Sequence, residues 1–394
     1  MAVTPTSADR PGGRQRLTNH NSLQTAQFLF AAIILSACGD SGSTAPSGPG
    51  SIDVNVVTTG VDIDADGFLL AVDAETPRTI PANGSVTISE PAGSHTLTLS
   101  GLALNCDITA VPLTATVAAA AATRVDVRVS CTSYLRKAIV FVSDQFAAGG
   151  LMAMRPDGSR RERLTTDPAY YIFPAVSPDG QSIAVESILA GNNEGIFLLD
   201  RFGKTRTNLV SRSSDDHAPA WSPDGTRLAF VSASSSGNDR IFIINRDGTG
   251  LRQLTIENNP QFGSTEDDSP SWSPNGQQIV FSRLGLLYLI NPDGTGIDST
   301  GVIGRRPAWS PDGTQVAFAD GAIYVMDRSF NTRRLTASGG DFMPRWSPDG
   351  RQLVFERTEG SQYKLYRINV DGTGLTKLST GTPSDNWPTW SPVP

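Results

Sequence analysis

Pro219-Ala-Trp-Ser-Pro-Asp-Gly225 is the stretch that decides how this chain folds, because near-copies of it recur down the sequence. They read Pro174-Ala-Val-Ser-Pro-Asp-Gly180, Pro270-Ser-Trp-Ser-Pro-Asn-Gly276, Pro307-Ala-Trp-Ser-Pro-Asp-Gly313, Pro344-Arg-Trp-Ser-Pro-Asp-Gly350 and a shortened Pro388-Thr-Trp-Ser-Pro392. Such a period means one supersecondary unit stacked on copies of itself. In Ser-Pro-Asp-Gly the proline presets φ at the second turn position and glycine suits the fourth, as a type I turn requires. A second punctuation, in Asn245-Arg-Asp-Gly248, Asn291-Pro-Asp-Gly294 and Asn369-Val-Asp-Gly372, separates the third apolar run of a repeat from the fourth. Four short antiparallel strands per repeat make one blade of a β-propeller.

The strand classes give the number of blades. Second-strand cores are Ile139-Val-Phe141, Ile183-Ala-Val185, Leu228-Ala-Phe230, Ile279-Val-Phe281, Val316-Ala-Phe318 and Leu353-Val-Phe355, which makes six. The first-strand phrase also occurs six times, but it is displaced: residues 138–166 lack one, while Pro388-Thr-Trp-Ser391 has no strand after it. A ring with unjoined ends would leave sheet edges exposed. The C-terminal strand is therefore expected to supply the innermost strand of the first blade. The fold class is all-β: a six-bladed propeller over 134–394, closed by its last strand and preceded by a small β-sandwich.

Residues 51–133 carry that sandwich. Ile52/Val54/Val56, Phe68/Leu70/Val72, Val86/Ile88, Leu97/Leu99 and Val125/Val127/Val129 alternate with polar residues, the pattern of half-buried antiparallel strands. The stretches Ile80–Ile88 and Pro91–Leu99 look like small immunoglobulin-like domains of envelope proteins, the PEGA type among them, which implies a spacer or adhesion module. Asp62, Asp64, Asp66 and Asp73 match the spacing of an EF-hand calcium loop. The flanks are β-formers where that loop needs helices, so a hairpin turn is the reading and a Ca2+ site in a β-loop the alternative.

The N-terminus reads as a targeting segment. Arg10, Arg14 and Arg16 precede the apolar run Phe28–Leu35, which is too short to span a bilayer. Leu35-Ser-Ala-Cys38 resembles the lipobox of bacterial lipoproteins. The resemblance implies a signal peptide over 1–37, a lipid on Cys38 and, with Gly39 following, sorting to the outer membrane. Residues 38–50 would be a flexible tether. With Cys38 lipidated, Cys106 and Cys131 are left to form a disulfide, which an oxidising envelope compartment permits. A formal charge of −7 without a basic run argues against nucleic acid as a partner.

Pro-x-Trp-Ser-Pro-Asp-Gly-x-x-Ile-Ala-Phe, followed by Ile-Tyr-Val-Met-Asp and Arg333-Arg-Leu-Thr336, resembles the repeat of TolB-type six-bladed propellers over 138–394. The resemblance implies a periplasmic protein that binds partner proteins through its propeller face. The chain lacks the α/β N-terminal domain of that family and the segment that engages TolA. A TolB-like lipoprotein, monomeric and bound to the membrane through its lipid alone, is the resulting expectation.

Candidate site residues follow from the repeat. Asp216, Asp267, Asp341 and Asp385 stand three residues before the repeat proline, where Tyr171 and Gly304 stand in the other blades. Their carboxylates are expected either to gather at one channel mouth, attracting a cation or a basic segment, or to cap their own loops. The repeated Trp221, Trp272, Trp309, Trp346 and Trp390 are expected to fill the wedge between neighbouring sheets. No Gly-x-Ser-x-Gly elbow occurs, and only His95 and His217 remain beyond the signal, so no catalytic residue and no His-built metal site is assigned. The leading expectation is a non-catalytic envelope scaffold that binds an envelope protein and needs no cofactor. The alternatives are a carbohydrate-active or lyase-type enzyme using channel carboxylates, and a surface adhesion or sensor protein.

Overall fold

Eight strands in residues 50–131 and six strand sets in residues 139–390 account for the architecture of the computed structural model. It describes residues 47–110, 113–146, 149–188, 194–210, 216–235, 237–256, 266–337 and 339–392. The expected signal peptide, Cys38 and most of the tether lie outside the described residues.

The first strands are β1 (Gly50–Gly60), β2 (Phe68–Val72), β3 (Arg78–Ile80), β4 (Gly84–Glu90), β5 (Gly93–Ser100), β6 (Cys106–Ile108), β7 (Thr114–Val117) and β8 (Ala122–Cys131). They form two four-stranded sheets, ordered β4-β1-β8-β6 and β3-β2-β5-β7. Period-two alternation turns Ile52, Val54, Val56, Phe68, Leu70, Leu97, Leu99, Val127 and Val129 into one shared core. The expectation of a purely antiparallel sandwich is corrected here: β1 and β8 run parallel, Ser51 opposite Ala122 through Gly60 opposite Cys131. Alternation sorts faces and says nothing of strand direction. The Cys106–Cys131 disulfide ties β6 to β8, its two residues directly opposite in the ladder.

Among the described residues of 139–390 there are six four-stranded sheets. Their innermost strands are, from blade two onward, Tyr170–Val176, His217–Trp221, Asp267–Trp272, Arg305–Trp309 and Asp341–Trp346. Asp385–Trp390 completes blade one by pairing antiparallel with Ile139–Ser143, Trp390 opposite Ile139. The amide of Ser391 adds a bond to the carbonyl of Ala138 at 2.8 Å.

The tryptophans sit where neighbouring blades meet. Trp221, Trp272, Trp309, Trp346 and Trp390 are all buried. Trp346 packs against Ala308 and Ala317 of blade five as well as Leu353 of its own blade. Its indole N–H donates to the carbonyl of Ala308 at 2.9 Å, and Trp221 does the same to Ala175 at 3.0 Å. These two rings fill a wedge and bond to the preceding blade's inner strand, while the buried indole N–H groups of Trp272, Trp309 and Trp390 make no such bond. The Ser-Pro-Asp-Gly turns are locked by the aspartate: Ser222 donates to Asp224 at 2.6 Å, and Asp224 also accepts the Thr226 amide at 3.1 Å. The Ser222 bond holds the Asp224 carboxyl below its ordinary range. The turn glycine takes a left-handed φ (+68° at Gly225), which explains glycine there.

In an up-and-down blade the first-to-second and third-to-fourth turns share one face. The sandwich docks on that face at blades one and two. Arg155 donates to the Leu104 carbonyl at 3.0 Å and pairs with Asp107 at 2.7 Å. Arg160 donates to the carbonyls of Leu102, Ala103 and Cys106, Arg201 pairs with Asp62, and Tyr134 lies 4.9 Å from Phe202 ring to ring. Residues 47–394 accordingly form one compact unit, and among the described residues these sandwich contacts lie on this one face of the propeller.

Candidate functional site: the open face and the axial channel

The innermost strands begin at the open face and descend toward the Ser-Pro-Asp-Gly turns. Midway, each meets the repeat proline, which has no N–H to give the ladder and is tolerated in a sheet mainly at an edge or a bulge. All six strands bulge there, as between Asp268 and Ser271 or between Phe342 and Arg345. The residue before each proline takes a left-handed backbone: Phe173 (φ +48°), Ala218 (+50°), Ser269 (+54°), Arg306 (+55°), Met343 (+55°) and Trp387 (+49°). A residue preceding proline ordinarily prefers the extended region, so six such departures mark a built feature.

Side chains from these bulges meet across the ring axis. Phe173 of blade two lies 5.6 Å from Trp387 of blade one and 6.3 Å from His217 of blade three, centroid to centroid. The Arg306 guanidinium of blade five stands 4.9 Å over the Phe173 ring. Arg306 is itself held by Asp268 at 3.0 Å and by the Ser269 hydroxyl at 2.7 Å. The bulge also frees the Trp387 amide, which donates to the Glu356 carboxylate of blade six at 3.0 Å. Burial pushes the Glu356 carboxyl up to about 6, against the pull of that N–H and of Arg306 and Arg345. Burial and the charge of Arg306 pull Arg345 down to about 10.

The four aspartates, expected either to gather at the mouth or to cap their own loops, lie inside the blade wall. Asp216, Asp267, Asp341 and Asp385 are wholly buried. Asp267 accepts both arms of Arg283, at 2.5 and 2.9 Å, and Asp341 both arms of Arg357, at 2.6 and 2.9 Å. In each case the arginine is the directly opposed residue of the second strand. Asp385 is held by Arg161 at 2.8 and 2.9 Å, and Asp216 is likewise engaged by neighbours. The structure does not gather them as open carboxylates, because each is engaged by partners in the blade wall. Tyr171, in the same place, donates to Asp167 at 2.6 Å. At Gly304 the ring of Phe318 takes the space, 2.4 Å from where a Cβ would stand.

The EF-hand-spaced set is also dispersed. Asp62 accepts the Tyr134 amide and pairs with Arg201, and Asp64 accepts the amides of Asp66 and Ala103. Asp66 stays exposed, and Asp73 is bound to His95 of the neighbouring strand in the same sheet. The pattern is that of hairpin and docking contacts, and no acid, His or Cys group suited to a metal ion occurs among the described residues.

Sequence reasoning missed the apolar rim of the open face. Tyr170, Ile256, Leu284, Ile303, Phe342 and Tyr363 are all exposed there, Ile303 by 64 %. They lie at strand ends, in one hairpin and in an inter-blade loop, where no periodicity singles them out.

Six meanders around a channel, closed by the last strand, define a β-propeller with a covered and an open face. Residues 130–285 match the family model described as the TolB beta propeller domain. A crystal structure of TolB from Acinetobacter baumannii is similar at 21% identity, over 66% of this chain and 68% of that one, with a TM-score of 0.56. A TolB-type protein structure from Agrobacterium tumefaciens follows at 18% identity, 65% and 93% coverage and TM-score 0.49. A chain from a nidogen/laminin complex aligns at 12% identity, 64% and 97% coverage and TM-score 0.52. No curated protein matches the sequence.

Proposed function

We propose that this protein is a lipid-anchored, non-catalytic binding scaffold of the bacterial cell envelope, whose open propeller face engages an envelope protein. The observation that carries the reading is the rim of exposed apolar side chains, Tyr170, Ile256, Leu284, Ile303, Phe342 and Tyr363, on the face that the sandwich leaves uncovered. Exposed apolar and aromatic side chains gathered on one face suit protein binding, and aromatic anchors carry most of the energy at such interfaces. In this reading Cys38 carries the lipid, the chain faces the periplasm from the outer membrane, and the immunoglobulin-like sandwich joins the anchor to the propeller. The buried aspartates contribute by holding the blades in shape.

The test is photo-crosslinking from Phe342 and Tyr363 in intact envelopes, with Tyr134, which lies under the sandwich, as control. One partner captured from the open face and lost in Leu284→Ser/Ile303→Ser supports the reading. Capture unaffected by that variant, or equal from the control position, ends it. Labelling with a fatty-acid probe, abolished in Cys38→Ser, checks the anchor separately.

A further inference from the structure

The channel encloses a cavity of about 90 Å³ on the ring axis, with walls from all six blades. Pro174, Pro219, Pro270 and Pro307 supply apolar wall, Ser271 and Thr389 supply hydroxyls, and Arg345 supplies the one charge. Ser271 accepts the Trp309 amide at 3.2 Å, which leaves its own proton free to donate. The Arg345 guanidinium donates to the Pro344 carbonyl at 2.9 Å. That single bond leaves most of its five N–H donors without a protein acceptor among the described residues. Glu356 and Asp268 act on it from a distance, and neither forms an ion pair with it. Arg306 is already bound to Asp268, and Glu356 is turned to the Trp387 amide, with no carboxylate within ion-pair distance of Arg345 among the described residues. A half-buried cation without a paired carboxylate is costly, and a fork of donors facing a small polar cavity is an anion receptor.

We propose that the axial cavity binds a small monovalent anion, a halide or a short carboxylate, on Arg345 with help from Ser271 and Thr389. The volume sets the class. At roughly 30 Å³ for one water, the space takes a chloride or bromide with a water, or an acetate, and excludes a sugar or a nucleotide. Monovalency follows from the single unneutralised charge. The groups facing Arg345 also set a pH dependence. Glu356, Arg306 with Asp268, and His217 across Phe173 all lie around the axis, and Glu356 changes charge in the physiological range. When Glu356 is protonated the field around Arg345 is more positive, so anion occupancy rises as pH falls.

Crystals of the full chain soaked in bromide at about pH 5 are expected to give an anomalous peak on the axis beside Arg345, weaker at about pH 8. In solution, chloride, bromide or acetate is expected to raise the unfolding temperature by a few degrees over gluconate at equal ionic strength. Arg345→Gln should abolish both effects. No axial peak in the unmodified chain, a peak that persists in Arg345→Gln, or equal unfolding temperatures in acetate and gluconate overturns the proposal. Should Arg345→Gln fail to fold, the bromide map of the unmodified chain decides alone.

Discussion

At Asp341 and Arg357 two opposite charges face each other across one rung of a blade, with both carboxylate oxygens engaged and the carboxylate fully buried. Removing one partner leaves the other buried and uncompensated, which costs about 3–5 kcal/mol. Asp341→Asn is therefore expected to lower unfolding free energy by that order in urea, with little effect on the secondary structure that remains. The carboxylates were legible in the sequence and their fate was not, because the pairing depends on strand register. One signal was present: the aspartate and arginine stand 16 residues apart in both Asp267–Arg283 and Asp341–Arg357. A second residue-scale prediction concerns His95, whose ring nitrogens face the Pro91 carbonyl at 2.9 Å and the Asp73 carboxylate at 2.7 Å. The Pro91 bond first, then Asp73, raises its pKa above the ordinary 6.5. A raised folded value means stability that is complete below pH 6.5 and lost as pH climbs through the folded pKa. The His95 ring signals should titrate above 6.5, and His95→Gln should flatten thermal stability across that window.

The elements of the propeller were the most readable part of the chain. Turn chemistry recurs with the blades, and apolar runs between the turns fix which segments are strands. The displaced first-strand phrase, read against residues 138–166, also indicated the joint that Asp385–Trp390 makes with Ile139–Ser143. The bulges stayed hidden, since a left-handed residue before proline contradicts the local preference that a reader would apply. Their cause is the ring: a proline at the axis must leave the ladder. The parallel β1–β8 pair was hidden for a different reason, because it joins the two ends of the sandwich and has no local signature. Deleting residues 385–394 is expected to leave the edge of Ile139–Ser143 unpaired, giving concentration-dependent association by light scattering in place of a single monomer peak. In the sandwich, Cys106 and Cys131 close a 25-residue separation between β6 and β8. The double alanine variant should lose about 3 kcal/mol of unfolding free energy in the chain-entropy estimate, read by denaturant melts.

Across the whole molecule, the sandwich is joined to the propeller mainly by arginines reaching into backbone carbonyls and carboxylates. Arg155 and Arg160 between them engage Leu102, Ala103, Leu104, Cys106 and Asp107. Composition does not disclose such a contact, because each arginine looks like an ordinary surface residue until the fold brings a carbonyl to it. Calorimetry of residues 47–394 is expected to give one transition. Arg155→Ala/Arg160→Ala should separate it into two, with protease cleavage appearing near residue 133. Two superimposed transitions for the variant and the parent would assign the joint to the Tyr134–Phe202 contact and its apolar surroundings instead.

The strand that completes blade one is made some two hundred and forty residues after its partner. Until that late segment arrives, Ile139–Ser143 has an open edge that another strand can pair with. A message cut short yields a product that cannot hide this seam. Closure by the tail therefore works as a length check, one that a protease can read without recognising any particular sequence.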